Sequence, residues 1–216
     1  MTSSYSLYFP LLRLTFFCTL LVLGRAIFYP NLNQSTPFTF PDRVPLERSQ
    51  FIERNAIVTK SFQPKYWSDL NGYQYQYLGF NVQVHYLQAT DGDVPTYLKN
   101  YLLNDQNIKV IDKKGSTGFY RLFERDRIAY LTTCINSRGS STINREQFFA
   151  NRNNYDLRID RLLPIVLGTE DPRDARCLWV TVSTSIEQRS IEVVHQQLEA
   201  AWQEIYAWWM PRFPKL

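Results

Sequence analysis

The stretch Leu131–Thr142 reads "LTTCINSRGSST", an apolar, strand-prone run that holds Cys134 and ends in Asn, Arg, Gly and Ser. Two chemistries fit those residues: a nucleophilic thiol beside an anion-binding loop, or a structural cysteine at a strand end. A nucleophile needs its thiol pKa lowered by a helix N-terminus, a histidine or a cation. Cys134 falls inside the expected strand. The interval to Arg138 is too short for a loop of backbone amides that could cradle a phosphate. The only histidines are His85 and His195. His85 lies on the polar face of an alternating strand, and His195 sits between core positions of a long helix. A Cys–His pair would need a tertiary meeting that no spacing specifies. The structural cysteine is the favoured reading, and no catalytic residue is assigned.

Metal and phosphate motifs are no stronger. "DGD", Asp91–Asp93, hints at a calcium loop, but the position that should carry its bidentate Glu is Leu102. A turn followed by a helix cap fits better. No CxxC or HxxxH spacing occurs. "GSTG", Gly115–Gly118, lacks the Lys-Ser/Thr of a P-loop and reads as a hairpin turn. No metal site and no cofactor is expected. Arg138, Arg145, Arg152, Arg158 and Arg161 cluster in one segment, partly balanced by Glu146, Asp156 and Asp160. They form either a docking surface for acidic groups of a partner or an internally paired surface, and the second is favoured. In "YAWWMPRFP", Trp208 and Trp209 cannot share one core stripe, so one of them is a candidate for a partner or membrane contact. Trp209 is taken as that candidate. The net charge of +4, from 24 basic and 20 acidic residues, is too small and too mixed for a nucleic-acid partner.

The elements that would position these residues follow from periodicity. "YQYQYL" and "FNVQVHYL" alternate as half-buried strands, with Gly79 marking a bulge or tight connection. "TDGDVPTYLKNYLLND" reads as a turn and a short helix, with Asp93 as N-cap and Pro95 early in the helix. "IKVID", "GFYRLFE" and "RIAYLTTCI" are three further strands joined by "KKGSTG" and "RDR", and "RCLWVTVST" is the last. The polar stretch from Asn144 to Arg161 reads as helical turns and loop. Ile191, Val194, Leu198, Ala201, Trp202, Ile205 and Trp208 keep helical spacing, Thr184 and Glu187 stand at capping-box spacing, and Pro211 stops the helix. The fold class is α+β: an antiparallel sheet in two layers, packed on one face by a long C-terminal helix and a shorter one.

Residues 1–30 form the N-terminal segment. "LYFPLLRLTFFCTLLVLGRAIFY" carries only Arg13 and Arg25 as charges. The uncharged run between them is shorter than the roughly 20 residues of a spanning helix, but its flanks are apolar. A retained transmembrane anchor is expected. A signal segment cleaved at Gly24-Arg25-Ala26 is the rival, and a soluble core helix is a third reading. Residues 31–50, with prolines at 37, 41 and 45, form an extended linker that stands off a membrane or lies across the domain, which is expected over 51–216.

The segments "HYLQATDGDV", "GFYRLFERDRIAYLTTCINSRGSSTI", "FFANRNNYD", "LLPIVLG", "RCLW" and "LEAAWQEIYAWW", with the anchor and the "FTFPDRVPL" linker, resemble the cyanobacterial cyanoexosortase A system-associated proteins over nearly the whole chain. "VPLERSQF" departs from the family pattern, which has a Pro-Gly-Trp-like ending there. The resemblance implies a small accessory protein, not an enzyme, anchored by one pass in the inner membrane with its domain on the extracytoplasmic side. Its partners would be an exosortase, a multi-spanning enzyme acting on proteins with a short C-terminal sorting tail, and those substrate proteins. The resemblance brings no catalytic residue. The rival reading is a ligand-binding protein or envelope enzyme whose site forms only in the fold.

Outside the cytoplasm a disulfide would persist. With Cys18 in the anchor segment, Cys134 and Cys177 are the intradomain pair. A bridge would close a loop worth roughly 3–4 kcal/mol in the chain-entropy model. Two buried free thiols are the alternative.

Overall fold

A computed structural model describes residues 5–28, 38–57, 72–100, 108–156, 158–166 and 173–214. The chain divides into two units, one comprising residues 1–37 with 158–172 and the other 38–157 with 173–215.

The larger unit is built on seven strands: β1 Phe51–Ile57, β2 Gly72–Tyr77, β3 Phe80–Leu87, β4 Val110–Gly115, β5 Gly118–Arg125, β6 Ile128–Asn136 and β7 Cys177–Ser185. Every pairing is antiparallel and the order is β1-β2-β3-β7-β6-β5-β4. Two meanders, β1–β3 and β4–β6, are thus joined by the last strand to be made. Hairpin turns close the meanders: Leu78-Gly79 between β2 and β3, Ser116-Thr117 between β4 and β5, and Asp126-Arg127 between β5 and β6. Gly79 takes a positive φ of 96° at its turn, and Asp126 and Arg127 both stand at positive φ, as a two-residue hairpin turn demands.

The helices of this unit are α2 Val94–Leu98, α3 Arg145–Asp156 and α5 Ile191–Trp209, the last followed by a 3₁₀ turn Met210–Arg212. Val194, Leu198, Trp202, Ile205 and Trp209 of α5 are buried with Val82, Val84, Leu122, Leu131, Val180 and Val182 of the sheet. The opposite face carries Leu87, Phe123, Cys134, Cys177 and Trp179, buried with Val94, Tyr97 and Leu98 of α2 and Phe148 of α3. The α+β antiparallel sheet is therefore as expected, but helices cover both faces and not one. The cause lies in β6 and β7, which are apolar on both faces, so each side needs a cover.

Three further expectations are corrected. The chain from Phe38 to Gln50 belongs to the folded unit, which therefore begins before residue 51. Phe40, Val44 and Leu46 are buried, and the rings of Phe38 and Phe40 both lie 6.3 Å from that of Trp209. Side chains of the sheet satisfy this strap's carbonyls: Tyr75 donates to Pro41 O at 2.9 Å, Tyr77 to Val44 O at 2.6 Å, and Arg54 to Phe40 O and Pro41 O, both at 3.1 Å. Residues 29–37 lie outside the described residues. Next, α5 is capped by Ser190, whose side chain accepts from Val193 N, and not by Thr184. Thr184 is still in β7, and the turn that follows sets Glu187 at a φ of 48°. Last, Trp209 and not Trp208 completes the buried stripe of α5, because the spacing 198, 202, 205, 209 keeps one face inward.

The smaller unit holds α1 Tyr5–Phe28 and α4 Ile159–Val166. From Tyr8 to Leu23 every side chain of α1 is exposed, on all sides of the helix. Its hydroxyls are satisfied internally, Thr15 donating to Leu11 O at 3.1 Å and Thr19 to Thr15 O at 2.7 Å. Among the described residues no helix is long and apolar enough to cross a membrane.

Candidate functional site

Of the residues singled out for chemistry, Cys134, Cys177 and Arg138 lie together at the β6–β7 end of the sheet. Cys134 faces Trp179 and Asn136 faces Cys177 in the β6–β7 register, so the two cysteines share a sheet face, diagonally placed. Their Cα atoms are 5.7 Å apart and the sulfurs are bonded. Neither cysteine is accessible. Cys18 is free and exposed on α1.

The chain leaves β6 through Ser137–Ser140, and Gly139 turns it at a φ of 74°. A Cβ there would lie 2.3 Å from Asn151 Oδ1. Asn151 holds the loop from both sides, donating to Arg138 O at 2.8 Å and accepting from Ser140 N at 3.1 Å. The polar tail of "CINSRGS" is therefore a turn fixed by side-chain amides, and the bridge beside it removes the thiol.

The arginines are largely partnered. Arg138 donates to Asp156 at 3.1 Å, and the other carboxylate oxygen of Asp156 accepts from Asp174 N at 2.8 Å. Asp174 takes the fork of Arg176 at 2.8 and 2.6 Å, and Arg176 also donates to Pro214 O at 2.6 Å. Burial raises the Asp174 pKa, but hydrogen bonds from Arg176 and Ser137 outweigh it and hold the carboxyl below its ordinary value. Arg145 pairs with Asp91 at 2.5 Å and Arg158 with Asp160 at 2.9 Å. Arg152 lies over the ring of Phe149 at 4.7 Å, and Arg161 is buried. Trp209 is also buried, so as a partner-surface residue it is a correction: the half-buried ring is Trp208, with Arg212 above it at 4.7 Å.

"DGD" forms the expected turn and cap. Asp91 Oδ1 accepts from Asp93 N at 3.2 Å and Asp93 Oδ2 from the Thr96 hydroxyl at 2.5 Å. Gly92 stands at a φ of 72° against the ring of Phe148. Among the described residues no group of three His, Cys, Asp or Glu side chains could hold a metal ion. "GSTG" is the β4–β5 hairpin turn, and Thr117 within it accepts from Trp202 Nε1 at 2.8 Å.

His85 and His195 stay apart from the cysteines' chemistry. His85 is buried on Trp179, and burial alone pushes its pKa down to about 4. Its Nδ1 has no partner. A ring held neutral and enclosed beside an oxidised cysteine pair forms no nucleophile–base couple.

An open cavity of about 360 Å³ lies elsewhere, on the α5 face of the sheet. Four segments meet there: the strap at Leu46, Arg48 and Ser49, the β2–β3 hairpin at Leu78–Phe80, Thr184 and Arg189 at the exit of β7, and Gln197, Leu198, Ala201 and Glu204 of α5. Glu204 accepts from Glu47 N at 2.9 Å and pairs with Arg48 at 3.4 Å. Arg189 donates to Gln197 at 2.6 Å, to Thr184 at 3.4 Å and to Ser185 O. These residues carry no motif that marks them in the sequence.

Searches with this chain matched no protein-family model, no curated protein and no solved structure.

Proposed function

We propose that this protein is a membrane-anchored, non-catalytic accessory component of an exosortase-type protein-sorting system, tied to cell-envelope or exopolysaccharide export. The observation that carries the reading is a contrast. Within the sheet unit the candidate nucleophile and base are enclosed, with Cys134 bridged and His85 buried, while α1 turns apolar side chains outward on every side. A helix apolar all round belongs in a core or a membrane. α1 runs for 24 residues. It falls short of the length and apolarity of a spanning segment, so its outward apolar side chains support an anchor only together with the motif resemblance. The disulfide supports a domain outside the reducing cytoplasm. The motif resemblance supplies the partner, an exosortase and its tailed substrates.

Deletion of the protein in its native host tests the role. The exosortase should remain present while tailed substrates accumulate unprocessed or mis-sorted, and the full chain should restore processing. Normal processing in the deletion strain removes the reading. A second reading, an extracytoplasmic ligand-binding protein, is favoured by the open cavity between the strap and α5.

A further inference from the structure

We infer that the cavity between the strap and α5 binds a small organic carboxylate with an apolar body, its acid group held by Arg189 and Arg48. The inference deepens the ligand-binding reading and does not depend on the exosortase assignment.

Charge gives the first argument. Two guanidiniums, Arg48 and Arg189, and one carboxylate, Glu204, line the cavity. Glu204 is already engaged by Arg48 and by Glu47 N. Every acceptor of Arg189 is neutral: the Gln197 amide, the Thr184 hydroxyl and Ser185 O. Its Nε is buried with no acceptor at all. A half-buried guanidinium lacking a counter-charge has lost part of its hydration without the ion pair that offsets it. An entering anion supplies that pair, and a planar carboxylate matches the guanidinium fork.

Shape gives the second argument. The cavity volume, about 360 Å³, falls in the range of small-molecule sites and far exceeds a bare inorganic anion. Leu46, Leu78, Phe80 and Leu198 supply its apolar wall. An acid with an aromatic or branched aliphatic body meets both surfaces, whereas phosphate would leave the apolar wall wet. The site also draws on four separate segments, so it exists only when the strap is docked.

The test uses the full chain in lipid nanodiscs, titrated with 3-phenylpropionate and, in parallel, with 3-phenylpropan-1-ol, which keeps the body and lacks the charge. The acid should bind saturably and at least tenfold more tightly than the alcohol, with nuclear Overhauser contacts from its ring to the methyls of Leu46, Leu78 and Leu198. Arg189→Gln should bring the acid to the alcohol's level, and Ala201→Phe, which fills the cavity, should abolish both. Equal binding of acid and alcohol, ring contacts to other methyls, or no saturable binding of the acid to the wild-type chain would each overturn the inference without any variant having to fold.

Discussion

The imidazole of His85 lies on the indole of Trp179, with ring centroids 5.0 Å apart and planes 25° from parallel. The pair ties β3 to β7 on the face opposite α5 and leaves His85 Nδ1 without a partner. Burial lowers its pKa from 6.5 to about 4. Between those values the unfolded chain binds a proton that the folded chain refuses. The contribution of His85 to stability is therefore complete above about pH 6.5 and is lost as the pH falls towards 4, by up to roughly 3 kcal/mol. His85→Phe keeps the stacked ring and removes both the titration and the orphan nitrogen. Its urea midpoint should exceed wild type at pH 5 and fall less steeply between pH 6.5 and 4.5. Parallel pH profiles for the two proteins would contradict the assignment.

The bridge between Cys134 and Cys177 closes a separation of 43 residues across neighbouring strands. Loop-closure entropy makes it worth roughly 3–4 kcal/mol. The chain has 3 cysteines. Denatured without reductant, it should take up one equivalent of N-ethylmaleimide, at Cys18, and after reduction three. Cys134→Ala with Cys177→Ala should lower the unfolding free energy by about that amount. Three equivalents without reductant, in protein taken from the envelope, would exclude the bridge.

The arginine cluster divides by burial. Arg138 faces Asp156, whose side chain is only 3% exposed, and its loss removes a charge-assisted hydrogen bond from a buried carboxylate. Arg138→Ala should destabilise by about 2 kcal/mol. Arg145 meets Asp91 on the surface, and Arg145→Ala should leave the midpoint unchanged within error. Equal effects from the two substitutions, read in the same denaturation series, would contradict the closed network around Asp156.

The strap predicts where the domain begins. A chain starting at Phe38 keeps Phe38 and Phe40 against Trp209 and the carbonyls that Tyr75 and Tyr77 hold. It should be soluble, monodisperse and cooperatively folded. A chain starting at Phe51 uncovers the Trp209 end of α5 and orphans both phenols, so it should aggregate or unfold several degrees lower. Equal melting temperatures for the two truncations would mean that the strap adds nothing to the core.

Much of this was legible in the residues, and what was not had a physical cause. Alternation in "YQYQY" and "FNVQVHYL" marked β2 and β3, because Tyr75, Tyr77, Val82, Val84 and Tyr86 are buried on one face in the core shared with the strap and α5. The α5 stripe was equally plain up to Ile205. Its last turn was not, since Trp208 and Trp209 are equally apolar and only the docked Phe38 and Phe40 select the second. β1, "FIERNAI", was missed because it pairs only with β2 at the sheet edge and buries no residue fully. The central place of β7 was equally hidden: hairpin turns specify neighbours in sequence, and β7 pairs with two strands that are distant in it. The cavity is invisible for the same reason, assembled from segments that only the finished sheet brings together.

The central claim is that this chain works as an anchored partner of an exosortase. Affinity purification of the tagged full chain from native membranes, with quantitative mass spectrometry of what accompanies it, tests that most directly. The exosortase should be recovered with the full chain, resist alkaline carbonate extraction alongside it, and be lost when residues 1–30 are replaced by an unrelated anchor. Recovery of the intact, membrane-held protein with no exosortase above the level of a tagged control would contradict the account.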